Sequence, residues 1–249
     1  MGRFEGKSAI VTGAASGIGR ATALRIASEG GRVACVDRAA DGANATVTQI
    51  REAGGTAIAI ACDVLDLAQI EAAVATAVAE FGGLDVLCNI AGLGHFAPDR
   101  TETFEGWSRV IGINLTGTYF MSKAVLPHLL ESKGAIVNCA STAGTNAQPW
   151  SSAYSASKGG VIALTQTMAI SHGLKGVRVN CVAPGGVDTP IAEQFSFPEG
   201  EDLSILARIM PFGRMGEPPE LASAFAFLAS DDASYINGVV LRVDGGMKA

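Results

Sequence analysis

The chain has 249 residues, enough for one large domain or two small ones at about 100–200 residues per domain. Lys and Arg number 18 against 24 Asp and Glu, a net charge of −6, so the protein has no electrostatic reason to bind nucleic acid or an anionic membrane surface. With 48% hydrophobic and 17% charged residues a sizeable core is available and disorder is disfavoured, while 31 glycines without a collagen-like period imply many tight turns.

The first strand-like run, Ser8 to Val11, starts so early that no signal peptide is expected. No stretch of about 20 apolar residues is uninterrupted, so no membrane span is expected either. Helical spacing follows from Gly19 to Ser28, then a second run from Val33 to Val36. The pattern repeats with a helix at 44–52, a strand at 57–61, a helix at 67–81 and a strand at 84–88. A long helical stretch covers 103–130, with Pro127 as the expected break, and the strand at 135–139 follows. A helix at 152–172, a strand at 177–182, a helix at 221–229 and a strand at 239–243 complete the chain. Seven continuously apolar strands alternating with helices predict an α/β fold. The expected form is a single doubly wound, Rossmann-type domain over residues 1–249, with a mostly parallel sheet covered on both faces. The segment at about 190–212 interrupts the alternation and is expected to be a substrate-loop insertion at the carboxyl edge of the sheet, where open α/β sheets bind ligands.

Five cysteines, Cys35, Cys62, Cys88, Cys139 and Cys181, lack CxxC or metal-ligand spacing and lie within short apolar runs. They are expected to act as small buried hydrophobes in a reducing cytoplasm, and no metal is inferred.

Three features carry chemistry. Gly13, Ser16, Gly17, Ile18 and Gly19 form a glycine-rich turn between the first strand and the first helix, where backbone N–H groups can approach a pyrophosphate. The spacing is G-x-x-x-G-x-G and not the usual G-x-G-x-x-G. Asp37 ends the second strand, placed to accept ribose hydroxyls and to repel a 2′-phosphate, which favours NAD over NADP; Arg38 beside it is the one feature pointing the other way. Asp63 closes the third strand and is placed for an adenine amino group. Tyr154 and Lys158, spaced i,i+4, project from one face of a helix start, and Ser141 ends the fifth strand. A nearby ammonium and a helix N-terminus are expected to draw the phenol toward phenolate for general acid/base work.

Together these residues resemble the short-chain dehydrogenase/reductase family over essentially the whole chain. The family's T-G-x-x-x-G-x-G matches Thr12 to Gly19, its aspartate plus hydrophobic residue matches Asp63 and Val64, and its N-N-A-G matches Asn89, Ile90, Ala91 and Gly92 with isoleucine replacing the second asparagine. Its catalytic set matches Asn114, Ser141, Tyr154 and Lys158, and its nicotinamide-carboxamide segment matches Pro184, Gly185, Val187 and Thr189. The resemblance implies an NAD(H)-dependent oxidoreductase interconverting a secondary alcohol and a ketone on a small to medium, fairly apolar substrate. It also implies a relay in which Tyr154 exchanges the proton, Ser141 orients the substrate oxygen, Lys158 tunes the tyrosine and binds the nicotinamide ribose, and Asn114 holds a water.

Two alternatives stay open: an NADPH-dependent 3-oxoacyl-[acyl-carrier protein] reductase, with Arg100, Arg109, Lys123 and Lys133 as a basic patch for the acidic carrier, and a non-catalytic NAD sensor. Residues 142–150 and 191–211, with Gln194, Phe195, Phe197 and Ile205, are expected to line the substrate pocket; Trp150 is either pocket wall or packing. His95 lies near the expected substrate mouth, where it could touch substrate, and is read first as facing solvent or standing behind the substrate. The apolar helix at 152–172 and the expected edge strand at 239–243 imply self-association, and the family resemblance makes it a homotetramer.

Overall fold

The computed structural model describes residues 2–192 and 212–247. Seven strands, β1 (Ser8–Thr12), β2 (Arg32–Asp37), β3 (Thr56–Ala61), β4 (Val86–Asn89), β5 (Ala135–Cys139), β6 (Arg178–Pro184) and β7 (Val240–Val243), form one sheet in the order β3-β2-β1-β4-β5-β6-β7. Every neighbouring pair is parallel, so the sheet is wholly rather than mostly parallel. That follows from the connections, each of which carries at least one helix back across a face of the sheet. The chain moves outward from β1 to β3, then returns past β1 to start β4. The crevice between β1 and β4 is therefore the topological switch point where such sheets take ligands.

Period-two alternation sends β1 side chains to two separate cores. Ala9 and Val11 join Ile26 of α1 (Gly17–Ser28), Ile50 of α2 (Ala40–Glu52) and Phe225 of α8 (Pro218–Ala229). Ile10, between them, faces Ile70 of α3 (Leu67–Phe81), Met121 and Leu129 of α5 (Thr118–Ser132) and Met168 of α7 (Ser152–Gly173). All five residues of β1 are buried, as a central strand covered on both faces requires. Local chemistry marks the helix ends. Asp66 accepts from the amides of Ala68 and Gln69 to start α3, and Gly82, at φ 80°, ends it in the left-handed region.

The long helical stretch breaks where the sequence did not indicate. After α4 (Phe104–Ile111) the backbone widens into a π-helical segment, Gly112–Gly117, and α5 then runs straight through Pro127 to Ser132. Glycines bracket that segment because residues 64 and 65 press on it. A Cβ on Gly112 would stand 2.8 Å from Leu65 Cδ2, and one on Gly117 2.9 Å from the Val64 carbonyl oxygen. β7 lies at the sheet edge, as expected. No helix among the described residues is long and apolar enough to cross a membrane.

Candidate active site

A cleft of about 1110 Å³ opens at the carboxyl ends of the strands. Its nucleotide end is lined by the turn residues Gly13, Ser16, Gly17, Ile18 and Gly19, by Asp37, and by Asp63 and Val64; Ala91, Gly92, Pro184, Gly185, Val187 and Thr189 form its middle. The turn is built tight. Gly13 and Gly17 hold φ of 70° and 50°, and a Cβ on Gly13 would stand 2.9 Å from the Ala91 backbone. Ser16, the N-cap of α1, makes no side-chain cap, and no acidic residue lies in the first turn. The leading N–H groups of α1 therefore face the cleft with a positive partial charge, which fits a bound pyrophosphate.

Asp37 fixes the turn as well as lining the cleft: Oδ2 accepts from the Ala15 amide at 3.0 Å and Oδ1 from Ala39 at 2.9 Å. Asp63 is also a turn former, its Oδ1 accepting from Leu65 at 3.0 Å. Asn89 is a correction. It does not line the cleft but is buried, and its Nδ2 donates to Asn138 Oδ1 at 2.9 Å and to Ser122 Oγ at 2.8 Å. Alternation along β4 turns this side chain into the interior between β5 and α5 and out of the cleft lining.

Ser141, Tyr154 and Lys158 meet on the cleft wall. Ser141 is the N-cap of α6 (Thr142–Asn146): its Oγ accepts from the Ala143 amide at 3.1 Å, and its hydroxyl also hydrogen-bonds the Tyr154 phenol. Lys158, 4% exposed, places its Nζ 5.8 Å from the centre of the Tyr154 ring and donates to the Cys139 carbonyl at 2.8 Å. The electrostatics differ from the sequence expectation. Burial pushes the Tyr154 phenol up to about 12, outweighing the bond from Ser141, and burial also lowers the pKa of Lys158. Removing both groups from water disfavours the charge on each, so the tyrosine stands as a neutral proton donor.

Asn114, fully buried in the π-helical segment, does not line the cleft. Its Oδ1 accepts from the Leu93 amide at 2.9 Å, while Nδ2 donates to the Leu93 carbonyl and to Ser157 Oγ, each at 3.1 Å. It ties the loop after β4 to α7, and it reaches Gly92 from the same side as Lys158: a Cβ on Gly92 would meet Asn114 Oδ1 at 3.1 Å and Lys158 Nζ at 3.6 Å.

Some lining residues escaped sequence reasoning. Met215 and Met247, whose positions give no local signal, line the cleft, and so does His95, which the sequence puts near the substrate mouth. Cys139 is only partly buried and lines it too, whereas the other four cysteines are buried. Trp150, partly buried, does not line the cleft, and its carbonyl accepts from Ala97 at 2.7 Å. Gln194, Phe195, Phe197 and Ile205 lie outside the described residues.

A family model described as enoyl-(acyl carrier protein) reductase matches residues 13–248. D-threitol dehydrogenase of Mycolicibacterium smegmatis is 44% identical over 246 residues, covering 98% of this chain and 94% of that protein. The 3beta-hydroxysteroid dehydrogenase 1 of Eggerthella lenta is 41% identical over 248 residues, covering 98% and 94%. The crystal structure of a 3-ketoacyl-(acyl-carrier-protein) reductase from Brucella melitensis complexed with NADH matches with a TM-score of 0.90 and 37% identity, covering 98% of this chain and 99% of that one. With relatives this similar along nearly its whole length, the chain belongs to the short-chain dehydrogenase/reductase family.

Proposed function

We propose that this oxidoreductase is NAD(H)-dependent and interconverts a secondary alcohol and a ketone on a small to medium, fairly apolar substrate. The observation that carries the reading is the convergence of Ser141, Tyr154 and Lys158 on one cleft wall, with the Lys158 Nζ 5.8 Å from the centre of the phenol ring. The nicotinamide cofactor, when bound, supplies or accepts the hydride. Gly13 and Ser16 to Gly19 would hold its pyrophosphate, Asp37 the adenosine ribose, and Asp63 with Val64 the adenine. Ala91 and Gly92 would lie along it, Pro184, Gly185, Val187 and Thr189 would take the carboxamide, and Tyr154 and Lys158 the nicotinamide ribose.

Tyr154 gives its phenolic proton to the ketone oxygen in reduction and takes it back from the alcohol in oxidation. Ser141 fixes that oxygen within reach. Lys158 supplies positive charge beside the phenol, and Asn114 Oδ1 keeps a lone pair for a water linking the lysine to solvent. Because burial favours the neutral phenol, oxidation calls for loss of its proton before turnover, and oxidation accelerates as pH rises toward the phenol's range. Replacing Tyr154 with Phe tests the scheme. Turnover falls by at least about 10²–10⁴-fold while NADH affinity, read by fluorescence titration, stays nearly intact. A variant that keeps over half its rate refutes the relay; one that loses turnover yet keeps its cellular role points to a sensor.

A 3-oxoacyl-[acyl-carrier protein] reductase is the second reading, favoured by the Brucella melitensis structure. The proposed basic patch for a carrier is weakened by topology: Lys133 caps the far end of α5, just before β5 begins, at the sheet edge opposite the cleft. The remaining proposals are one domain over the whole chain with a substrate-loop insertion at about 190–212, a cytoplasmic location, and a homotetramer. Ile170, 83% exposed, and fully exposed Leu174, both at the end of α7, support association.

A further inference from the structure

His95 and Glu102 form a built pair at the substrate end of the cleft, and the sequence singled out only the histidine. The imidazole Nε2 lies 3.0 and 3.2 Å from the two oxygens of Glu102. A carboxylate only accepts, so Nε2 carries the hydrogen and donates to it. Glu102 is held in turn: its Oε1 accepts from the Thr103 amide at 2.9 Å, and its side chain is only 13% exposed. Gly106 of α4 leaves room for the pair, since a Cβ there would stand 2.6 Å from Glu102 Oε1 and 3.4 Å from His95 Nε2.

The loop carrying His95 is pinned beside the reacting tyrosine. Ala97 bridges Ser151, and Ser152 Oγ donates to Asp99 at 2.6 Å. His95 is thus two residues from that bridge and Tyr154 three residues from it on the other side. Both side chains line the same cleft. With Nε2 committed to Glu102, Nδ1 is the ring nitrogen left to a ligand; it has no hydrogen-bond partner among the described residues. A neutral imidazole offers an acceptor there and an imidazolium a donor. A hydroxyl answers either state, because it both donates and accepts.

We infer that His95, oriented by Glu102, recognises a second hydroxyl on the substrate, so that the preferred substrates are diols or hydroxy-ketones and not mono-alcohols. This rests on the alcohol–ketone reading above and names the substrate class for it. Glu102 is a positioning residue; His95 determines specificity.

The test is steady-state oxidation with NAD of two matched pairs: a vicinal cyclohexanediol against cyclohexanol, and a vicinal butanediol against secondary butanol. The wild type prefers each diol in kcat/KM by about tenfold, the worth of one neutral hydrogen bond. His95→Leu raises KM for the diols until the preference is gone, with kcat little changed and the mono-alcohol kinetics unaltered. His95→Gln, whose amide can still donate to Glu102 and present an acceptor, keeps part of the preference. Glu102→Gln weakens it for the diols alone. If the wild type treats both members of each pair alike, or the preference survives His95→Leu, the inference is overturned and the alcohol–ketone reading stands. Equal loss on diol and mono-alcohol in His95→Leu makes the residue merely structural and also overturns it. If the wild type oxidises none of the four, the alcohol–ketone reading fails, and the inference with it.

Discussion

Replacing Gly19 by alanine opposes a local rule to a tertiary contact. Gly19 sits in the first turn of α1, and the helix-propensity scale alone gives alanine an advantage of about 1 kcal/mol over glycine in a helix. A Cβ there would stand 2.0 Å from the Gly13 carbonyl oxygen and 3.1 Å from the Ala14 nitrogen, so the turn must open by about an ångström. Gly13 has little room to yield, since its own Cβ position already lies 2.9 Å from the Ala91 backbone. Overpacking of a rigid contact costs about 1–3 kcal/mol, and with backbone on both sides the upper end applies, leaving a net loss of about 2 kcal/mol. Gly82 is the control. It too is a glycine at a helix end, but its φ is 80° and a Cβ would meet nothing within 4 Å, so alanine there costs only the left-handed strain, about 1 kcal/mol. Urea unfolding measures both losses, and fluorescence titration measures NADH affinity. Gly19→Ala weakens NADH binding, because the displaced amides are those facing the pyrophosphate; Gly82→Ala leaves it unchanged. A Gly19→Ala protein as stable as the wild type, with unaltered NADH affinity, would refute the cradle.

Three further outcomes are expected. Asp37→Ala narrows the preference for NAD over NADP by removing the carboxylate that faces an added phosphate; equal kcat/KM for the two cofactors in the wild type removes the premise. Stability falls as pH rises above about 9. Burial raises the thiols of Cys35 and Cys88 from 9.0 to about 12 and those of Cys62 and Cys181 to about 11. Over that window the folded state binds more protons than the unfolded one, so each thiol's contribution, complete below the unfolded value, is lost as pH climbs to the folded one. Every tenfold difference in proton affinity between the two states is worth about 1.4 kcal/mol. Tyr154 and Cys139, also raised by burial, act in the same sense as the four thiols, and Lys158, lowered by burial, acts in the opposite one. A urea midpoint that holds or rises between neutral pH and about pH 11 contradicts this account. Light scattering at micromolar concentration gives a mass several times the single-chain 25.4 kDa; the single-chain mass would show that the apolar end of α7 is left to solvent.

The sequence by itself determined the elements and their chemistry, because both are written in local spacing. Continuously apolar runs become strands, the cap at Asp66 and the glycine at 82 bound α3 where the pattern put it, and an i,i+4 spacing places Tyr154 and Lys158 on one face of a helix. Three things needed the tertiary structure. Asn89 looks like a cofactor residue in its motif, yet the pleat of β4 turns it inward onto Asn138. The break in the long helix falls at Gly112–Gly117 and not at Pro127, because the loop at Val64 and Leu65 packs there from far along the chain. Finally, the charge states at Tyr154 and Lys158 depend on how completely the surrounding elements exclude water. Sequence proximity predicts attraction between an ammonium and a phenolate, but the packed elements take both groups out of water, which raises the phenol and lowers the lysine.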